Sequence, residues 1–303
     1  MIDFKSITLN EKELYEKYLF DEKERGCEYS FANLFMWGKQ RYAVVNNHIV
    51  LFSQYYKRSV YPFPVGEGDK KAVLDAIMAD SKERGLECRI TGITKSDKEL
   101  MESLYPDKFE YHRDRDFFDY VYAVEDLAQL KGRKYHGKKN HFNKFLATHP
   151  DYKTEPINEG NISKVRDMVD RWYKARIEEL PDSDFTMEQK AIVKAFDNYN
   201  ELGMEGIIIT DNDEVLAMTM GSRLSDNTFD VHFEKALNGV DGTYAAINRE
   251  FAVYITETHP KIEFLNREDD MGLEGLRAAK KSYRPHHMVE KWWADIGEDG
   301  NDC

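Results

Sequence analysis

Cysteine is scarce in this 303-residue chain, which carries only Cys27, Cys88 and Cys303. Three widely separated thiols make neither a disulfide framework nor a zinc-binding spacing, so reduced thiols are the expected state. Histidine is scattered too, and the one adjacent pair, His286 and His287, lacks the i, i+4 spacing that puts two imidazoles on one helix face. No metal is predicted. Long apolar runs are missing: none approaches the roughly 20 residues of a membrane span. The stretch from Met1 to Lys5 has no basic segment leading into an apolar one, so no secretory leader and a cytoplasmic location are expected. Positive charge is in short supply, with 43 Lys and Arg against 56 Asp and Glu and a net charge of -13. That balance excludes a general DNA binder, whose affinity rests on many basic phosphate contacts.

What is present suits a large α/β (α+β) protein. Hydrophobic residues make up 41% and aromatics 13%, enough for two packed cores, and the length exceeds the usual single domain. The first half reads as a strand from Asp3, a helix opened by Asn10, and a hairpin across Asn46-Asn47. An extended run from Ser59 to Pro64, a helix over 69–84 stopped by Gly85, a strand from Leu86, a helix from Ser96 and a strand from Phe117 follow. The second half repeats that order: a strand from Tyr152, helices over 161–179 and 186–202, a hairpin across Asp211-Asn212-Asp213 and a strand over 228–233. A helix over 244–258, a strand over 262–266 and a helix over 273–281 complete it. No residue-level repeat links the halves; only the order of elements is shared.

Between them lies the segment from Lys131 to Phe145, with six Lys or Arg and no acid. Such clustering against the overall balance suggests an anion site containing Arg133, Lys134, Lys138 and Lys139. A solvated linker face explains the same charges. From Lys138 the pattern predicts a helix with Phe142 and Phe145 on one side and Lys139 and Asn143 toward solvent. A second cluster, Glu268, Asp269 and Asp270, sits at a strand-to-helix joint. Crowded carboxylates raise one another's pKa and can provide a general base; equally, they can cap the following helix. Glu234 and Asp230 on the preceding strand are the other base candidates. Ser30, Ser222 and Ser282 have no nucleophile-elbow context, and a cysteine nucleophile is not expected.

Four ordered stretches carry a resemblance: Leu130 to Phe145, Glu28 to Trp37, His232 to Ala236 running on to Asn248, and Leu265 to Arg277 continuing through Lys280 and Tyr283 to Pro285. Together they resemble a bacterial family related to the C-terminal domain of phosphatidylglycerol lysyltransferase. The resemblance implies two tandem GNAT-like domains, each a mixed sheet flanked by helices. They are expected at 1–130 and 151–303, joined by a basic linker helix at 131–150, with the site in the second. Relatives implied by it, the lysyltransferase and the Fem-type transferases, move an aminoacyl group from tRNA, whereas single GNAT enzymes use acyl-CoA. It thus implies an N-acyltransferase or aminoacyltransferase acting on a small-molecule or peptide amine, or a hydroxyl, with acyl-CoA or aminoacyl-tRNA as donor and no tightly bound cofactor. Lys280 and Tyr283 are the implied pocket residues, and their i, i+3 spacing sets an ammonium and a phenol on one helical face. The chain departs from the acyl-CoA pattern after the strand at 228–233. Gly239 and Gly242 can form an anion nest, but the basic residue of a pyrophosphate turn is missing and Asp241 opposes one. A non-catalytic module that binds a nucleotide-bearing or RNA ligand is the alternative.

Overall fold

The computed structural model describes residues 1–19, 25–38, 40–237, 239 and 241–297. They form two compact units, and the chain passes between these more than once. Unit 1 comprises Met1–Asp119, Asp269–Gly272 and the segment from Met288; unit 2 comprises Tyr120–Glu268 and Leu273–His287.

In unit 1 the sheet runs β1 (Lys5–Ser6), β2 (Arg41–Val45), β3 (His48–Tyr55), β4 (Arg58–Pro62), β6 (Glu87–Ile93), β15 (Trp292–Ile296), β7 (Phe109–Arg113), with β5 (Val65–Gly66) paired to β3. Asn46 and Asn47, at φ 48 and 59, make the tight left-handed turn between β2 and β3, the backbone that asparagine tolerates best. Helices α1 (Lys12–Leu19), α2 (Phe31–Trp37), α3 (Lys70–Arg84) and α4 (Lys95–Leu104) accompany the sheet. Asp69 caps α3 by accepting from the Ala72 N–H at 3.1 Å, and Gly85 closes it at φ 68. Tyr61, Phe63, Leu74, Ile77 and Ile90 pack into one core.

Unit 2 carries the sheet β14 (His287–Val289), β8 (Asp119–Ala123), β13 (Phe264–Asn266), β12 (Thr228–Ala236), β11 (Glu214–Arg223), β10 (Glu205–Asp211), β9 (Lys153–Pro156). Its helices are α5 (Val124–Gln129), α6 (His136–Thr148), α7 (Ile162–Glu179), α8 (Thr186–Asp197), α9 (Thr243–Thr258) and α10 (Glu274–Ser282). Among the described residues no helix is long and apolar enough to cross a membrane.

Both sheets are built to one plan. Counted from β1 in one sheet and from β9 in the other, the fourth and fifth strands (β4 and β6, β12 and β13) pair in parallel across a helical crossover, α3 or α9. The next strand is antiparallel, and it comes from the other end of the chain: β15 flanks β6, and β8 flanks β13. The last strands of the two repeats are therefore exchanged. The compact units place Tyr120–Ala123 of β8 and the whole basic helix α6 in unit 2, and β15 in unit 1. The helix boundaries otherwise sit near their expected places; α1 follows a Thr8 capping box rather than an Asn10 cap, and α4 a Thr94 cap rather than Ser96.

Candidate active site

The parallel register of β12 and β13, with Asp230 opposite Asn266, brings their C-terminal ends to the same edge of the unit 2 sheet. Glu234 and Arg267 lie at those ends, and Arg267 Nη2 donates to Glu234 Oε1 at 2.8 Å. Both side chains are nearly buried, 12% and 11% exposed. Asn248 on α9 donates to the other carboxylate oxygen at 3.4 Å. The guanidinium lies 5.1 Å from the Tyr283 ring centre and 5.7 Å from that of Tyr122. Lys138 reaches in from α6, its Nζ 3.8 Å above the Tyr283 ring. Lys280 fixes the chain beneath: its Nζ donates to the Arg267 carbonyl at 2.5 Å, and its own carbonyl accepts from Tyr122 Oη at 2.8 Å. Tyr283 Oη donates to the Tyr244 carbonyl at 3.4 Å, while Tyr244 Oη accepts from Trp172 Nε1 at 3.2 Å.

Two atoms in this cluster have no hydrogen-bond partner although buried: Arg267 Nη1 and Asn248 Oδ1. A buried orphan donor or acceptor costs about 1–3 kcal/mol, so native chains keep few of them, and a functional role or a bound ion or water is among the reasons for one. The electrostatics are uneven. Burial pushes the Lys138 amine down, the Arg267 charge adds to this, and Glu234 only partly opposes them, leaving it at about 8. Burial opposes the Arg267 charge, but Glu234 more than offsets it and holds the guanidinium cationic. Burial, with Glu234 nearby, raises Tyr283, so its phenol stays a donor. The cluster therefore offers a fixed cation with a spare N–H, an amine that titrates near neutrality, and a buried carboxylate.

Comparison with known proteins gives this arrangement its relatives. The family described as "Phosphatidylglycerol lysyltransferase, C-terminal" matches residues 21–295. The chain belongs to that family. A conserved protein of unknown function from Bacteroides thetaiotaomicron is 35% identical, with 98% of this chain and 100% of that one covered and a TM-score of 0.92. L-PGS from Bacillus licheniformis shares the fold at 13% identity, over 99% of this chain and 94% of that one, with a TM-score of 0.69. A tandem GNAT protein from the clavulanic acid biosynthesis pathway does so at 8% identity, over 98% and 99%, with a TM-score of 0.50. The two units are GNAT-like domains in tandem, each a mixed sheet flanked by helices. None of the curated protein sequences matches.

Of the residues singled out in this member of the lysyltransferase C-terminal family, Glu234, Tyr283, Lys138 and Lys280 come together. The other basic candidates do not join them. Arg133, Lys134 and Lys139 are exposed, and Lys134 pairs with Asp126 at 2.8 Å. Nor do Gly239 and Gly242 behave as one nest. A Cβ on Gly242, at φ +87, would lie 2.1 Å from the His141 carbonyl oxygen, so this glycine admits the backbone of α6. Gly239 has nothing within 4 Å of such a Cβ, Asp241 pairs with Lys144 at 3.1 Å, and Asn238 and Val240 lie outside the described residues, as does Cys303.

The three adjacent carboxylates do not act as one cluster, because each turns to its own partner. Glu268, at φ 56, faces His232 Nδ1 at 3.3 Å. Asp269 accepts from the Met271 N–H at 3.1 Å. Asp270 is buried and paired with Arg115 at 3.3 Å, and it accepts from the Gly272 N–H at 3.0 Å. Asp230 is buried beside His232, 3.5 Å from Nδ1. Sequence reasoning missed Arg267 and Asn248. Arg267 stands inside the stretch that carries the family resemblance, and its position one residue past a strand parallel to that of Glu234 is the signal that marks it.

Proposed function

We propose that unit 2 is a transferase that moves an activated acyl or aminoacyl group onto an amine or hydroxyl. The observation that carries this reading is the buried Arg267 Nη1, left without a partner in the cluster that holds Glu234 and, across the Tyr283 ring, Lys138. A carbonyl oxygen of the donor takes that N–H, and the negative charge that grows on it in the tetrahedral state meets a guanidinium already fixed in place. Lys138 is the proton shuttle. Its neutral amine accepts the proton that the attacking nitrogen or hydroxyl gives up as the new C–N or C–O bond forms. It returns that proton to the departing oxygen or sulfur as the old bond breaks. Glu234 holds the guanidinium, and Tyr283 supplies the aromatic face against which Lys138 lies. No covalent enzyme intermediate is needed.

An aminoacyl ester on tRNA is the donor that fits better than acyl-CoA. The turn where a pyrophosphate nest would form has its Gly242 taken up by the His141 backbone and its Asp241 set against phosphate. Exposed Lys131, Arg133 and Lys139 are suited to contacts with a polynucleotide carrier, and membership of the lysyltransferase C-terminal family supports the same donor class.

The test is transfer of a labelled aminoacyl group from a mixed aminoacyl-tRNA pool to small amines and peptides, with labelled acetyl-CoA in parallel, for wild type, K138M and R267K. Transfer from tRNA lost in both variants is the expected result. Retention of tRNA or of a CoA ester without turnover would instead identify a non-catalytic binding module, and transfer that survives K138M would remove Lys138 from the mechanism.

A further inference from the structure

β12 carries Asp230, His232 and Glu234, and its register against β11 shifts at His232, so the strict alternation of faces is interrupted there. Glu234 meets Arg267, whereas the other two converge with Glu268, also in unit 2. The side chains of His232 and Asp230 are 1% and 0% exposed, and that of Glu268 is 26% exposed. His232 Nδ1 lies 3.3 Å from Glu268 Oε1 and 3.5 Å from Asp230 Oδ2. One ligand atom of each residue lies within 4.8 Å of those of the other two.

Two independent features favour a cation over a shared proton. Charge-assisted hydrogen bonds between imidazole and carboxylate close to about 2.7–2.9 Å, and both separations here are longer. They are close to the spacing of ligands around a metal: donors about 2.0–2.1 Å from a tetrahedral ion stand roughly 3.3 Å apart. The far side of the imidazole also fits. Its Nε2 is 2.8 Å from the Ser222 hydroxyl. A metal-bound histidine uses such an outer partner to hold its second N–H and direct the lone pair of the other nitrogen to the ion.

We infer that Asp230, His232 and Glu268 form a site for one divalent transition-metal ion of the zinc class, with Ser222 orienting the imidazole and a fourth position open beside partly exposed Glu268. The ion ties β12 to the exit of β13. Because Glu268 immediately follows Arg267, it also fixes the residue that carries the spare guanidinium N–H. Its role is positional, and it stands independently of the transfer chemistry proposed above. The Glu268 backbone is already clamped for this, accepting from the Tyr120 N–H at 3.1 Å and donating to Asn266 Oδ1 at 2.7 Å.

The test uses the full chain, stripped with a chelator and titrated with Zn²⁺ against a chromogenic competitor, then with Co²⁺ to read coordination from its visible absorption. One ion per chain is expected, with Co²⁺ bands of four-coordination. E268Q and H232N are expected to weaken binding at least about ten-fold. E268Q changes the more exposed ligand and keeps the test valid if H232N does not fold, circular dichroism being the check. C27S serves as the control. Cys27, Glu28 and Asp119 are a second group with suitable ligand atoms, but Lys291 already bonds both of its carboxylates, so C27S should retain the ion. Absence of stoichiometric uptake, uptake unchanged in E268Q, or loss in C27S alone would each overturn the site.

Discussion

Lys291 is the most exacting test of the electrostatic reasoning, because it is a buried cation whose worth can be worked out from its partners. Its Nζ lies 2.6 Å from Asp119 Oδ1 and 2.7 Å from Glu28 Oε2, with its side chain 12% and that of Asp119 0% exposed. At an effective dielectric of about 20, each contact is worth about 6 kcal/mol of attraction, set against several kcal/mol of desolvation for every ion involved. The two nearly cancel in the intact cluster. In K291M they do not, since Asp119 stays buried while its counter-charge is gone. A loss of about 3–5 kcal/mol is expected, a large share of the roughly 5–15 kcal/mol that holds an ordinary domain together. Burial opposes the Lys291 charge, but Asp119, Cys27 and Glu28 overcome this and raise its pKa well above the ordinary value. The sign follows from that direction. A raised lysine contributes all its stability below its unfolded pKa of about 10.4 and loses it only as pH rises through the higher folded value, so the difference between wild type and K291M should stay flat from about pH 7 to about pH 9. Urea unfolding followed by tryptophan fluorescence reads mainly unit 1, because Trp37, Trp292 and Trp293 lie there and Trp172 alone lies in unit 2. Adding D119N to K291M should restore part of the loss. A deficit below about 1 kcal/mol, or strict additivity of the two substitutions, would refute the account.

Lys235 should behave in the opposite way: burial lowers its pKa despite Glu188 at 2.7 Å, its partner is one-third exposed and can return to water, and its Nζ sits 3.9 Å over the Trp172 ring. K235M should therefore change stability by no more than about 1 kcal/mol in urea unfolding followed by far-UV circular dichroism, which reads both units. If Lys138 is the shuttle, its amine must be neutral to begin the cycle, so with a pKa of about 8 the transfer rate should climb roughly ten-fold from about pH 7 to about pH 9 and then level off. K138R should abolish that rise and lower the rate about 10²–10⁴-fold in a transfer assay. G242A should destabilise by about 1–3 kcal/mol, because its Cβ would press on the His141 carbonyl, and G239A should cost less, since only its φ of +89 resists; thermal denaturation of the pair separates the two causes.

What the sequence made legible was whatever local chemistry dictates. Asn46-Asn47 and Asn212-Asp213 force left-handed turns, so both hairpins were readable from composition alone. The inward direction of Lys138 was also readable in principle: it shares the i, i+4, i+7 face with Phe142 and Phe145, while Lys139 lies off it. Strand exchange was not readable. β15 is five residues of ordinary strand composition, and nothing in Trp292–Ile296 states that it must pair with β6, some two hundred positions earlier. The Glu234–Arg267 contact suffers the same limit, since its partners are 33 positions apart and meet only through a parallel register. The carboxylates at 268–270 show the reverse error: neighbours in sequence were read as neighbours in chemistry, although a left-handed residue at Glu268 sends them to separate partners.

The shared plan of the two sheets also bears on why the proposed chemistry is assigned to unit 2. At the ends of β4 and β6, where the unit 2 plan places Glu234 and Arg267, unit 1 has buried Pro62, with Phe63 and Ile93 packed into its core. A buried arginine of that unit, Arg25, is committed to Asp97 through two nitrogens, Nη1 at 2.5 Å and Nη2 at 3.2 Å, and its plane covers Phe63 and Tyr29. A guanidinium closed on both oxygens of one carboxylate is a fastening. Arg267 meets Glu234 through Nη2 and keeps Nη1 unmatched, an arrangement that costs stability unless something else arrives to complete it. The same ion pair chemistry thus separates the halves: one pair finishes a core, and the other leaves a donor poised for a ligand.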